Sequence, residues 1–247
     1  MANDKHLSQR REFLRQALGF VPSAALLGGA IAPFEPSQAQ TASSGGPNYR
    51  PNYFNAAEWT FINAAVDRLI PSNEDGPGAI ELGVPEFIDR QMDTGYGHGE
   101  FWYMSGPFVP DVDFSLGYQL RFTPREFYRA AIADIDAWCQ KNHGKKFGDL
   151  DGATQDQILT LLQKSRIDLA TVPKPNEFFL QLLANTKEGY FADPMYGGNR
   201  GMAAWKMIGF PGARADFKDW VTQPGKVYPL GPVSIQGEKA KDRWQRQ

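Results

Sequence analysis

Cysteine is all but absent: Cys139 is the single one among 247 residues. No disulfide can form within the chain. Nor can it alone build a Cys-x-x-Cys-His haem attachment, a four-cysteine zinc site or an iron–sulfur cluster. Cys139 falls in the helical stretch Ile135-Asp136-Ala137-Trp138-Cys139 and reads as a small buried hydrophobe. Histidine is scarce too, with His98 and His143 the two beyond residue 39. His98 lies in the loop Gly95-Tyr96-Gly97-His98-Gly99, and no other ligand type recurs beside it at metal-ligand spacing. His143 stands near Lys145-Lys146 at a helix end, where a cation suits the helix dipole. Neither sign of charge is in surplus: the formal net charge is -2, which excludes the basic excess of a nucleic-acid groove. A Gly-x-Ser-x-Gly elbow, a P-loop and a Gly-x-Gly-x-x-Gly turn after a strand are all missing. Asp111 and Asp113 are the nearest thing to a carboxylate pair and read as a solvated loop. There is no sustained period-two alternation and no internal repeat.

What is present is enough to build a core. The chain is 42% hydrophobic and 13% aromatic, the composition of a folded domain with extensions. Its first residues read as an address. Gln9-Arg10-Arg11-Glu12-Phe13-Leu14-Arg15 matches a twin-arginine export signal at Arg10, Arg11, Phe13, Leu14 and the basic Arg15, with Gln9 in place of the usual Ser or Thr. An uncharged Ala, Gly and Leu stretch follows over 17–33, too short and too glycine-rich for a membrane span. Ser37-Gln38-Ala39 then offers small residues for cleavage after Ala39. The expected organisation is a signal peptide over 1–39, a flexible leader over 40–52, a helical domain over 53–223 and an extended tail over 224–247. The expected location is the periplasm. Folded proteins use this route, often with a cofactor already inserted or with a partner that carries one. This chain has no motif for a cofactor.

The mature chain is predicted to be mostly α: a small irregular helical domain with long Pro/Gly-rich loops. Asn55 and Glu58 have capping-box spacing ahead of Trp59, Ile62, Val66, Leu69 and Ile70, and Pro71 ends that helix. Pro85 opens a short helix containing Phe87, Ile88 and Met92. Thr123-Pro124-Arg125-Glu126 starts another, carried on by Phe127, Ala131, Ile135 and Trp138 and ended by Gly144. A further helix runs from about Thr154 to Ser165. Asn176 is the expected cap of a helix with Phe179, Leu182, Leu183 and Thr186.

After Tyr190 the composition changes. The segment Glu188-Gly189-Tyr190-Phe191-Ala192-Asp193-Pro194-Met195-Tyr196-Gly197-Gly198-Asn199-Arg200 leads through Trp205 to Ile208-Gly209-Phe210-Pro211-Gly212. Asp193-Pro194 starts a turn, Gly197-Gly198-Asn199 allows positive φ, and 202–208 forms a short helix stopped at Gly209. Large aromatics among glycines suit a rigid loop pressed on another surface, or a loop closing the protein's own core. The candidate partner interface is Asp193, Pro194, Tyr196, Gly197, Gly198, Asn199, Trp205 and Phe210.

On these residues the chain resembles the gluconate 2-dehydrogenase subunit 3 family. The match lies in the leader, the opening helix over 54–71 and above all Asp-Pro-x-Tyr-Gly-Gly-Asn with the Trp and Ile-Gly-Phe-Pro-Gly that follow. The resemblance implies a small subunit of a membrane-associated, flavin-dependent sugar or polyol dehydrogenase. A large subunit would hold FAD and oxidise the substrate, and a multihaem cytochrome c would take the electrons. The small subunit would bind the large one, support its maturation and carry it through export. It would hold no cofactor, metal or catalytic residue of its own, and would meet the membrane only through the complex. Two other readings compete: a stand-alone periplasmic enzyme using Asp193, Tyr196, Asn199 and Arg200, and a sugar-binding module built on the aromatic loop over 96–102.

Overall fold

The computed structural model describes residues 49–226 and 228–240. The export signal at Arg10, Arg11, Phe13 and Leu14, and the cleavage point after Ala39, lie outside the described residues.

Helix α1, Ala56–Leu69, starts where its capping box demands. The Asn55 carboxamide accepts from the Ala57 and Glu58 amides, and the Glu58 carboxylate accepts from the Asn55 amide at 2.9 Å. Helix α2, Val84–Met92, follows Gly83 at φ 75° and has Pro85 in its first turn. Helix α3, Pro124–His143, has the Thr123–Glu126 capping box and stops at Gly144, φ 72°. Helix α4, Gly152–Gln163, begins earlier than expected because Asp151 supplies the cap, accepting from the Thr154 amide at 3.0 Å. Helix α5, Pro175–Phe191, corrects the expected cap: Asn176 is inside the helix, since Pro175 already occupies the first turn. A short α6, Ala203–Ile208, ends at Gly209, φ 72°. Among the described residues these six helices are joined by long loops, and β structure is limited to isolated bridges. None of the helices is long and apolar enough to cross a membrane.

Helix α5 is central and packs against all five others. Its Phe178 is fully buried, with the Phe127 ring 5.9 Å away and the Tyr128 ring 5.5 Å away, both edge-on. Phe61 of α1 meets both Phe178 and Phe147. Each such pair adds about 0.5–1.5 kcal/mol beyond the area it buries.

The end of the expected leader is fixed onto this core. Asp89 on α2 is fully buried, and its two oxygens accept from the Tyr49 hydroxyl at 2.7 Å and from the amides of Asn52, Tyr53 and Phe54 at 2.8, 3.1 and 2.9 Å. Residues 49–52 therefore belong to the fold and not to a flexible leader. Burial, with Asp89 second, holds the Tyr49 phenol well above its ordinary pKa.

The described part of the tail turns back on the domain. The Ala213 amide donates to the Val233 carbonyl at 2.7 Å and the Val233 amide to the Pro211 carbonyl at 3.2 Å, with Ser234 buried beyond.

Asp89→Ala is expected to lower unfolding stability by about 3 kcal/mol in urea titrations. Charged-acceptor bonds are worth about 1.5–3 kcal/mol each, but the freed strap regains solvent on peeling away, which caps the loss. A change below about 1 kcal/mol would show that the strap adds little. Cys139 is fully buried and its thiol is pushed up to about 12 by burial and, second, by Asp136. Native protein should thus resist a thiol-specific disulfide reagent at pH 8 and react fully once denatured, and rapid native labelling would contradict this placement.

Candidate functional site

The aromatic- and glycine-rich loop grows out of the end of α5. Asp193 caps the 3-10 turn Pro194–Tyr196 through its Oδ1, which accepts from the Met195 amide at 3.1 Å. Gly197 then takes φ 103°, and the Arg90 side chain fills the space a Cβ there would need. At Gly198 the limit is steric: an added Cβ would stand 2.0 Å from the Gly189 carbonyl oxygen. Gly189 in turn has no room because Phe87 of α2 would lie 2.7 Å from its Cβ. Loop and α5 meet here backbone to backbone, with Phe87 and Arg90 of α2 filling the space beside them.

Asn199 closes the loop. It is fully buried at φ 44°, a left-handed value that asparagine tolerates better than most residues. Its Nδ2 donates to the Ala192 carbonyl at 3.0 Å and its Oδ1 accepts from the Ala204 amide at 2.9 Å, tying the loop's start to α6. Trp205 lies beneath, with Nε1 donating to the Phe191 carbonyl at 2.8 Å and its ring 5.2 Å from Phe210, edge-on.

Arg200 fastens the loop to α2. Its amide donates to the Leu82 carbonyl at 3.1 Å and its guanidinium pairs with the Glu86 carboxylate. Burial raises the Glu86 pKa, and Arg200 partly offsets the rise. The pair borders a polar cleft of about 230 Å³, which Tyr49, Trp59 and Asn63 also line.

Burial divides the eight predicted interface residues. Asn199, Trp205 and Asp193 are 0%, 6% and 6% exposed, and Gly197 and Gly198 are buried as well. Tyr196 and Phe210 are 46% and 45% exposed, and Pro194 is intermediate. The buried members hold the loop's own shape, and Tyr196 and Phe210 face outward with Phe191, Ile208 and Ile235.

The residues of the competing readings are not assembled as a reaction centre. Asp193 and Asn199 direct their polar atoms at backbone groups, and Arg200 directs its own at Glu86. In the loop over 96–102, the Tyr96 hydroxyl accepts from Gln181 at 2.6 Å and from Asn185 at 2.9 Å, so that ring belongs to α5's surroundings. Trp102 packs on Tyr118, 4.5 Å between centroids. His98 has its Nδ1 2.9 Å from the Thr94 carbonyl and its Nε2 against Arg125. A carbonyl can only accept, so Nδ1 carries the proton and Nε2 takes the Arg125 bond. Asp113 accepts from the Ser115 amide in an exposed turn. Among the described residues no group of three or more His, Cys, Asp or Glu could hold a metal ion.

Sequence reasoning missed Asp89 and Glu86. The available signal was two acids set among the apolar residues Val84, Phe87, Ile88 and Met92 of a short helix.

A mostly helical domain that displays a stiff glycine-framed loop is the class these features define. Residues 56–212 match the family model for gluconate 2-dehydrogenase subunit 3, and the chain belongs to that family. The family implies a subunit of a multi-subunit dehydrogenase complex. No curated protein and no solved structure matches the chain.

Trp205→Ala should cost the isolated protein roughly 3 kcal/mol or more in chemical denaturation, whereas Tyr196→Ala should stay within about 0.5 kcal/mol of the parent. Equal effects would mean that burial does not separate the two roles. Gly198→Ala should destabilise more than an ordinary surface glycine substitution, because the obstruction is backbone.

Proposed function

We propose that this chain is the non-catalytic small subunit of a periplasmic FAD-dependent sugar, polyol or gluconate dehydrogenase complex. It binds the FAD-containing large subunit and supports that subunit's folding and twin-arginine export. The observation that carries this reading is the loop itself, which spends its polar groups on its own shape and turns Tyr196 and Phe210 outward. Rigid exposed aromatics are what a protein partner uses as anchors. Family membership supplies the kind of partner, a dehydrogenase subunit.

FAD in this reading resides in the large subunit, and a multihaem cytochrome c is the third partner, passing electrons toward the membrane. The complex sits at the periplasmic face of the inner membrane, which this chain meets only through its partners. Export rests on Arg10-Arg11 with Phe13-Leu14. A folded-protein signal on a chain with no cofactor motif makes sense when the signal serves another protein.

Expressing the large subunit with and without this chain tests the reading. FAD-loaded enzyme should reach the periplasm only in the first case, and equal amounts in both would sink the idea. Replacing Arg10 and Arg11 by Lys should strand both proteins in the cytoplasm. Tyr196→Ala and Phe210→Ala should each weaken the purified complex by roughly 2 kcal/mol, read by titration calorimetry.

A further inference from the structure

The Asp193 carboxylate does two jobs. Its Oδ1 caps the Pro194–Tyr196 turn, and its Oδ2 accepts from the Ile235 amide at 2.7 Å, across 42 residues of sequence. Asp193 is 6% exposed, and this second bond is partly buried. The arm it grips is locally closed: the Ser234 amide donates to the Glu238 carbonyl, the Gly237 amide to the Ser234 carbonyl, and the Glu238 amide to the Ser234 hydroxyl. That turn presents Ile235 at 61% exposure. Upstream, Val233 bridges to Gly212, where Trp205 leaves no space for a side chain. The family match ends at residue 212, so the arm lies outside it and yet hangs from a family-loop residue.

We propose that Asp193 is a latch that fixes the C-terminal arm beside the family loop, so that Ile235 joins Tyr196 and Phe210 in one face for the FAD-containing large subunit. The choice of occupant rests on the proposed function. The loop supplies the part of the face that lies within the family match. The arm supplies a part that lies outside the family match, and so helps decide which large subunit is accepted.

Asp193→Asn separates the two jobs. Asparagine keeps one acceptor oxygen and gains an amide that cannot accept from Ile235. The neighbouring Met195 amide retains that oxygen, because closing a two-residue turn costs far less chain entropy than holding a contact 42 residues away. In full-length mature protein, amide exchange at Ile235 should quicken at least ~10-fold while α5 amides hold their rates. The dissociation constant for the purified FAD-containing large subunit should rise ~10-fold, and truncation after Gly212 should produce no smaller a loss. Unchanged exchange at Ile235 would overturn the latch whatever the partner does. A freed arm with undiminished affinity, in the variant and the truncation alike, would overturn the composite face and leave the accessory-subunit reading standing. If wild-type protein and large subunit fail to associate at all, the function fails and the face with it, while the exchange rates still judge the latch.

Discussion

Gly198 approaches the Gly189 carbonyl so closely that a hydrogen atom is the largest substituent it can carry at the contact. Everything distinctive about the molecule depends on that approach. Glycine inside a helix costs about 1 kcal/mol relative to alanine, and Gly189 occupies such a position in α5. What it permits is the entry of Phe87 from α2, while the bare Gly198 lets the returning loop reach the carbonyl of Gly189. A methyl group at Gly189 would run into Phe87, and one at Gly198 would push the loop off the helix. Asn199 could then no longer reach Ala192 and Ala204 together.

Helix α2 is the second half of the same arrangement. It has nine residues, yet it carries three separate attachments. Asp89 holds the strap before α1, Glu86 holds Arg200 of the loop, and Arg90 lies where Gly197 lacks a side chain. The first two attachments are polar and partly or wholly buried, where a hydrogen-bonded charge is stabilising only while its partner stays, and the third is a packing contact. The N-terminal strap and the family loop are therefore coupled through one short helix, although Tyr53 of the strap and Asp193 of the loop are 140 positions apart (193 − 53). Neither can shift far without disturbing a group that the other needs in place.

Much of this was legible in the sequence, for identifiable reasons. Capping boxes at Asn55 and Thr123 are local and depend on three or four residues, so α1 and α3 begin where expected. The turn at Asp193 and the positive φ at Gly197 and Asn199 follow from residue type. The Asn176 cap failed because two local signals competed and proline, whose φ is fixed, took the first turn. Asp89 was illegible because its partners lie 35 to 40 residues upstream and three of them are backbone amides, which leave no mark on residue type. The division of the loop into buried pins and exposed anchors was hidden for a related reason: composition gives the same aromatic residues for either role.

That division explains why the pins are polar. A loop with this much glycine loses about 1–2 kcal/mol of backbone entropy per residue when ordered. Apolar burial alone would collapse it into one of many similar packings. Asp193, Asn199 and the indole of Trp205 each demand a partner at a fixed distance and angle, and each finds a backbone group belonging to a different part of the fold. The outcome is one shape, with its ordering cost met during folding. A partner that docks on Tyr196 and Phe210 then meets a surface already in place, and more of the contact energy is available for affinity. In the proposed function, polar groups buried beneath an apolar outer face are what give the loop a shape ready for recognition.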